Sequence, residues 1–208
     1  MSRPERYTVS ARAYDVISGE RPVYRKGRVV GVAGLRLTPG CSVLDLGCGT
    51  GLNHPLLVDG VGPAGTVVGL DRSPQMLAQA RRRAARHGWS QVRTVEADML
   101  DGAVPAREGG GFDAVIATYA LSLVPGWERA WVRALAAVRP GGRIAVVDLA
   151  LPTGRGAVLS PLARLACALG GSDPHAHPWT ALERDCVDVT AHSLWGGHVQ
   201  VRVGTRPV

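Results

Sequence analysis

Short, strongly apolar runs alternate with stretches of helical periodicity through the middle of the chain. Residues 41–46, 66–70, 92–95, 113–118 and 143–148 are rich in Val, Leu and Ile and read as strands. Most are too continuously apolar to keep one face in water, which predicts strands buried on both sides. Between them, residues 73–87 begin with Ser73 as a cap and Pro74 in the first turn and stop at Gly88, while residues 127–138 repeat apolar positions at helical spacing before Pro140-Gly141-Gly142. Strand and helix in alternation predict an α/β, doubly wound, Rossmann-like parallel sheet with helices on both faces. After Asp148 the rhythm changes. Val158, Leu162, Leu165 and Leu169 form an amphipathic helical stripe, and two strand-like runs joined through Gly196-Gly197 read as a hairpin.

Length and composition narrow this picture. The 208 residues suit one domain, 46% of them apolar and 20% charged, as in a soluble globular protein. No run approaches a membrane span, and the N-terminus lacks the apolar core of a secretory signal, so the expected location is cytoplasmic. Cys41, Cys48, Cys167 and Cys186 contain no Cys-x-x-Cys pair, which points to reduced thiols and to neither a zinc knuckle nor a disulfide framework. The net charge of +7 is concentrated: in residues 1–36, seven Arg and Lys26 face Glu5, Asp15 and Glu20, leaving +5 there. This basic arm suits peripheral contact with an anionic membrane at the inner face, an acidic ligand or nucleic acid, and equally a solvated helix. No nucleic-acid partner is expected, since no separate RNA-binding module is recognisable.

The candidate chemistry sits at the first strand-to-helix turn, Asp45-Leu46-Gly47-Cys48-Gly49-Thr50-Gly51-Leu52. Ligands of doubly wound sheets bind beyond the carboxyl ends of the strands, where glycines let them approach the backbone. A dinucleotide turn would carry a third glycine at the position of Leu52, and the carboxylate of Asp45 beside the loop would repel a pyrophosphate. The turn therefore suits a cationic ligand. Asp71 ends the second strand about 20 residues on, where an acid accepts hydrogen bonds from ribose hydroxyls. Asp98 follows at the mouth of the third. A ribose, a positive group and a further polar contact describe a sulfonium nucleoside, S-adenosylmethionine.

The sequence resembles the class I S-adenosylmethionine-dependent methyltransferases. The resemblance runs through Val43–Gly51, Gly69-Leu70-Asp71, Ala97-Asp98, Phe112–Tyr119 and Val138–Ile144, in order, over about half the chain. It implies a seven-stranded sheet whose last strand is antiparallel. It also implies that Asp45, Gly47, Cys48, Gly49, Gly51 and Asn53 surround the methionine end, Asp71 the ribose, Asp98 and the Met99 backbone the adenine edge, and that Arg72 and Met76 flank the ring. The expected layout is one methyltransferase domain over 1–208: a basic helical arm over 1–36, a cofactor core over 37–150, an acceptor-side insertion over 151–182 and a hairpin over 183–208.

The acceptor is less sharply marked. Ala117-Thr118-Tyr119-Ala120 departs from the Asn/Asp-Pro-Pro-Tyr pattern of amide and adenine methyltransferases, and no acidic cluster suggests a metal. A small-molecule or lipid substrate remains. Tyr14-Asp15, Tyr24-Arg25, Gly49–Asn53, Pro55-Leu56-Leu57 and Tyr119–Ser122 are similar to bacterial phosphatidylethanolamine N-methyltransferases and to ubiquinone and menaquinone methyltransferases. The leading expectation is N-methylation of an amine such as a phosphatidylethanolamine-type head group. The alternatives are C- or O-methylation of a quinone or natural product, and a non-catalytic S-adenosylmethionine-binding protein. Tyr14 and Tyr119 are the candidate catalytic residues, because an aromatic hydroxyl can take a proton while its ring attracts a cation. Tyr7, Tyr24, His54 and Trp179 are candidates for the acceptor pocket, and the Val158–Leu169 stripe for an apolar lid or a core-facing helix. Nothing in the pattern sets the oligomeric state.

Overall fold

A computed structural model describes residues 23–102 and 110–208. Its elements run α1 (Arg25–Gly34), β1 (Ser42–Leu46), α2 (His54–Val61), β2 (Thr66–Asp71), α3 (Pro74–His87), β3 (Val92–Glu96), β4 (Phe112–Thr118), α4 (Trp127–Ala137), β5 (Val138–Leu149), α5 (Ser160–Gly170), α6 (Trp179–Asp185), β6 (Val187–Leu194) and β7 (Val199–Thr205). Seven strands form one sheet in the order β3-β2-β1-β4-β5-β7-β6. The first five pair in parallel, while β7 runs antiparallel to β5 and β6 completes the hairpin.

The continuous apolar runs have the expected cause. Leu44, Leu46, Val115 and Ala117 face a core built with Trp131 and Leu182, whereas Val43, Ala114, Ile116 and Val147 face the opposite core with Leu57 and Val32. Side chains alternate along a strand, so a strand covered on both faces must be apolar at every step. The exceptions are informative: Asp45 follows Leu44 on the same face as Val43, and Thr118 lies on that face too. The helix boundaries also follow from chemistry. Ser73 Oγ accepts from the Met76 amide at 3.3 Å, and Gly88 takes the left-handed conformation (φ 66°) that ends α3.

Two features depart from the sequence pattern. Residues 138–142 do not simply separate a helix from a strand: Val138 already pairs with Phe112, and the ladder resumes at Ala114 with Arg143, so Arg139–Gly142 bulge out of an extended β5. The apolar stripe near α5 faces outward, with Val158 81%, Leu162 66%, Leu165 56% and Leu169 80% exposed. Only Ala163 and Cys167 of α5 are buried, so the narrow small-residue side of this helix meets the protein.

The docking of α1 matters for the site. Gly27, Gly31 and Gly34 lie on the side of α1 turned to the sheet, and a Cβ on Gly31 or Gly34 would stand 2.6 Å from a methyl of Val147 or Val203. Bare glycine backbone lets the helix lie against β5 and β7 more closely than a side chain would allow. Arg143 Nε fixes its end by donating to the Gly34 carbonyl at 2.9 Å. No helix of the described residues is long and apolar enough to cross a membrane.

Candidate cofactor and acceptor site

The carboxyl ends of β1, β2, β3 and β4 open onto one cleft, with about 950 Å³ of space including its open mouth. The turn after β1 forms its floor. Gly47 and Cys48 amides donate to the Leu70 carbonyl at 2.8 and 2.9 Å, which clamps the turn to the end of β2. Gly47 and Gly49 take φ of 71° and 53°, in the left-handed region. A Cβ on Gly47 would lie 2.6 Å from that of Ala120, whereas one on Gly49 would meet nothing within 4 Å. The first glycine is needed for packing, and the second leaves the backbone open to a ligand.

Asp71 joins the turn to β2. Its Oδ2 accepts from the Gly49 amide and its Oδ1 from the Ser73 amide, each at 2.9 Å. Each oxygen has a second lone pair, so the carboxylate is oriented while it can still accept from hydroxyls in the cleft. Arg72, Met76, Asp98 and Met99 continue the wall. The Asp98 side chain accepts from the Leu100 amide at 2.8 Å, which holds the acid in place after β3.

Asp45 has a different position. It lies behind the turn, fully buried, with Oδ1 accepting from Asn53 Nδ2 at 2.8 Å. Among the described residues its Oδ2 has no hydrogen-bond partner, and it stands 3.8 Å from His54 Nε2. Burial raises the Asp45 carboxyl to about 6, against the lowering effects of the Asn53 bond and the charge of Arg28. Burial, helped by the charge of Arg83, lowers His54 to about 4. Both ring nitrogens of His54 lack hydrogen-bond partners among the described residues. Burial also drives the Cys48 thiol well above its ordinary value, so it stays protonated. Asp45 and His54 support the turn from below.

At the far end the wall passes to Arg28, Thr118, Tyr119, Leu123 and Val124. Tyr119 has φ 53°, a conformation that costs a non-glycine residue roughly 1–3 kcal/mol. Its hydroxyl donates to the Tyr24 carbonyl at 2.8 Å, and the two rings lie 5.1 Å apart. Arg28 was not visible as a site residue in the sequence. The glycine spacing of α1 was the available signal, and its meaning depends on the strand it meets.

The expected residues thus divide. Gly47, Cys48, Gly49, Asp71, Arg72, Met76, Asp98, Met99 and Tyr119 line one cleft. Asp45, Gly51 and Asn53 lie behind the turn that forms its floor. Tyr24 stands behind Tyr119, His54 is buried under the turn, and Trp179 is packed with Trp131 in the core on one face of the sheet, so none of these three reaches the cavity wall. Tyr7 and Tyr14 lie outside the described residues. Among the described residues, none from 151–182 contributes to the wall.

This donor set fits S-adenosylmethionine. Asp71 presents oriented lone pairs for a diol, Asp98 and the backbone beside it offer an acceptor and a donor for a purine edge, and Met76 supplies an apolar ring contact. The unpartnered oxygen of Asp45 places negative charge, not an anion cradle, behind the turn.

A methyltransferase-domain family model matches residues 43–142. The chain is 35% identical to nocamycin O-methyltransferase of Saccharothrix syringae over 80% of this chain and 58% of that protein. It is 38% identical to demethylmenaquinone methyltransferase of Thermus thermophilus over 53% of this chain and 48% of that one. The chain thus spans about half the length of these curated relatives. Among solved structures, the fold matches Haemonchus contortus phosphoethanolamine N-methyltransferase 2, bound to phosphomonomethylethanolamine and S-adenosylhomocysteine, with TM-score 0.72 and 15% identity, over 95% of this chain and 57% of that one. At that identity the likeness is one of fold. Residues 43–142 thus match a methyltransferase domain, and the strand order with the glycine turn and its three acids supports a class I S-adenosylmethionine-dependent methyltransferase.

Proposed function

We propose that this chain transfers a methyl group from S-adenosylmethionine to a small-molecule or lipid acceptor. The observation that carries the reading is the convergence of the glycine turn, Asp71 and Asp98 on one cleft whose other end is lined by Tyr119, Leu123 and Val124. When bound, the cofactor supplies an electrophilic methyl on a sulfonium, and the protein's task is alignment and exclusion of water. Asp71 orients the ribose. The glycine turn and Asp45 behind it favour the cationic end. Leu123 and Val124 keep the acceptor side apolar.

For the acceptor we keep N-methylation of an amine, such as a phosphatidylethanolamine-type head group, as the first reading. It is supported by the likeness of Gly49–Asn53 and Tyr119–Ser122 to the phosphatidylethanolamine N-methyltransferases and by the basic Arg28 in the cleft wall, which suits an anionic group near the amine. A second reading, O- or C-methylation of a quinone or polyketide-like natural product, draws on the nocamycin and demethylmenaquinone relatives. Peripheral contact with anionic membrane belongs to the first reading, and co-sedimentation with anionic vesicles at low salt tests it. Incubation with methyl-labelled cofactor and extracted lipids, quinones or amine metabolites decides the acceptor. Label in mono- and dimethylated head groups supports the first reading, and label in the quinone or aromatic fraction supports the second. Cofactor binding with no transfer to any fraction would make the chain a binding protein.

A further inference from the structure

Helix α5 presents an apolar face that nothing among the described residues covers. Val158, Leu159, Leu162, Leu165 and Leu169 are exposed, while Ala163 and Cys167 hold the helix on the protein. A single exposed leucine is ordinary, but a contiguous stripe of them marks a surface that meets something apolar. Trp195 adds to it. This residue is 51% exposed at the turn between β6 and β7, and the turn lies against the segment leading into α5. The Thr153 amide donates to the Gly196 carbonyl at 2.9 Å, and a Cβ on Gly156 would stand 3.0 Å from Gly196 Cα. The indole Nε1 donates to the Val23 carbonyl at 3.0 Å, so the ring is fixed although half of it faces outward. Arg25 and Lys26, both exposed, follow Val23 at the start of α1. The charge along the helix has one sign: residues 150–172 contain Arg155 and Arg164 and no acid, and the next acid is Asp173 beyond the helix end. A second copy of the chain across the stripe would bring Arg164 toward its twin with no acid of the helix to pair it. An anionic lipid surface instead takes apolar side chains, an interfacial Trp and cations together. Because α5 is already folded and docked, insertion avoids the ordering cost that a free amphipathic segment meets.

We propose that the α5 stripe and Trp195 form a docking face for an anionic membrane, with the apolar side chains entering the lipid and Arg25, Lys26 and Arg164 meeting its head groups. The inference deepens the lipid-acceptor reading above and rests on it for its functional meaning. The face is joined to the cleft. The Asp173 amide donates to the Ser122 carbonyl at 2.9 Å, and the Ser122 and Ser172 hydroxyls are 2.6 Å apart. Leu123 and Val124, next in the chain after Ser122, line the cleft. Docking through α5 therefore brings the membrane against the segment that carries the apolar wall.

Flotation of the full chain with vesicles of phosphatidylglycerol and phosphatidylcholine, and with vesicles of phosphatidylcholine alone, tests this. The variants are Leu162→Gln combined with Leu165→Gln, Trp195→Phe, and Val132→Gln, which alters an exposed apolar residue on α4 instead. The unaltered chain is expected to bind the anionic vesicles, the double variant to lose roughly tenfold or more in partitioning, and Val132→Gln to keep it. Lipids brominated in their acyl chains should quench the fluorescence of the unaltered protein and much less that of Trp195→Phe. The double variant should keep its melting temperature and its affinity for S-adenosylhomocysteine, which separates lost docking from lost folding. Vesicle binding retained by the double variant would overturn the inference and assign the contact to another surface. So would a chain that binds no vesicles, or a dimer of the unaltered chain that the double variant dissociates. A chain that docks through this face yet binds no S-adenosylhomocysteine would sustain the inference and overturn the methyltransferase reading, so the two failures are distinguishable.

Discussion

The two ends of the cleft are made by different means. At one end Asp71 and Asp98 sit directly after β2 and β3, and the glycine turn directly after β1, so a few residues of local chain determine where each group points. At the other, Arg28 and Tyr119 come from segments about ninety residues apart in sequence and are joined by Thr118 and the Tyr24 carbonyl. The first end is a property of the parallel sheet. The second depends on how closely one helix packs on it, and this is the end we propose for the acceptor. Cofactor binding should therefore survive changes that spoil the acceptor end.

Gly47→Val breaks the shared floor and has the largest expected effect. It puts a branched residue at φ 71° and its Cβ 2.6 Å from that of Ala120. A destabilisation of roughly 2–4 kcal/mol is expected, with cofactor affinity lost as well. Thermal melts and calorimetry read both, and an unchanged melting temperature would show that the turn is not strained. Tyr119→Phe removes the hydroxyl that donates to the Tyr24 carbonyl. About 1 kcal/mol of stability should go, with turnover reduced and S-adenosylhomocysteine affinity kept. A matching loss of cofactor affinity would erase the distinction between the ends.

The buried pair behind the turn gives a pH test. Asp45, raised from 3.8 to about 6, binds its proton more tightly when folded, so its contribution falls as pH rises from about 4 to about 6. His54, lowered from 6.5 to about 4, does the reverse: the unfolded chain binds more protons between those values, and stability rises with pH. The two contributions oppose each other. His54→Asn removes the rising one, so between pH 4 and 6.5 the melting temperature of the unaltered protein should climb relative to the variant. Parallel curves would mean that His54 is not held neutral. Smallest of all, Leu165→Glu on the outward stripe, where the residue is 56% exposed, should change stability by no more than about 0.5 kcal/mol. A large loss would show that the stripe is covered in solution.

Sequence reading reached these regions unequally for the same reason. Asp71 and the glycines are legible because their roles follow from position after a strand and from backbone conformation. The seven strands and their antiparallel ending followed from the pattern and the family resemblance, and match the sheet found. Asp45 carries the expected charge, yet its side chain falls on the face covered by α2, a consequence of strand alternation that its place beside the loop conceals. In the sequence Arg28 is one charge of a basic arm, since nothing local tells a solvated arginine from one pressed against a tyrosine that follows a distant strand. The stripe of α5 shows the converse limit: periodicity finds an apolar face but not the direction in which it points, and here Ala163 and Cys167 decide that direction. The bulge at Arg139–Gly142 likewise reads as a turn until β4 is laid beside it.

The central claim is that the cleft holds a sulfonium nucleoside and not a pyrophosphate. Calorimetric titration of the unaltered protein and of Asp71→Ala with S-adenosylhomocysteine and with a pyrophosphate dinucleotide tests it most directly. The account predicts that the unaltered protein binds the first ligand and not the second, and that Asp71→Ala weakens binding by roughly a hundredfold, because the ribose loses its acceptor and the Gly49 amide its partner. Binding of the dinucleotide, or an affinity for S-adenosylhomocysteine that Asp71→Ala leaves untouched, would contradict it.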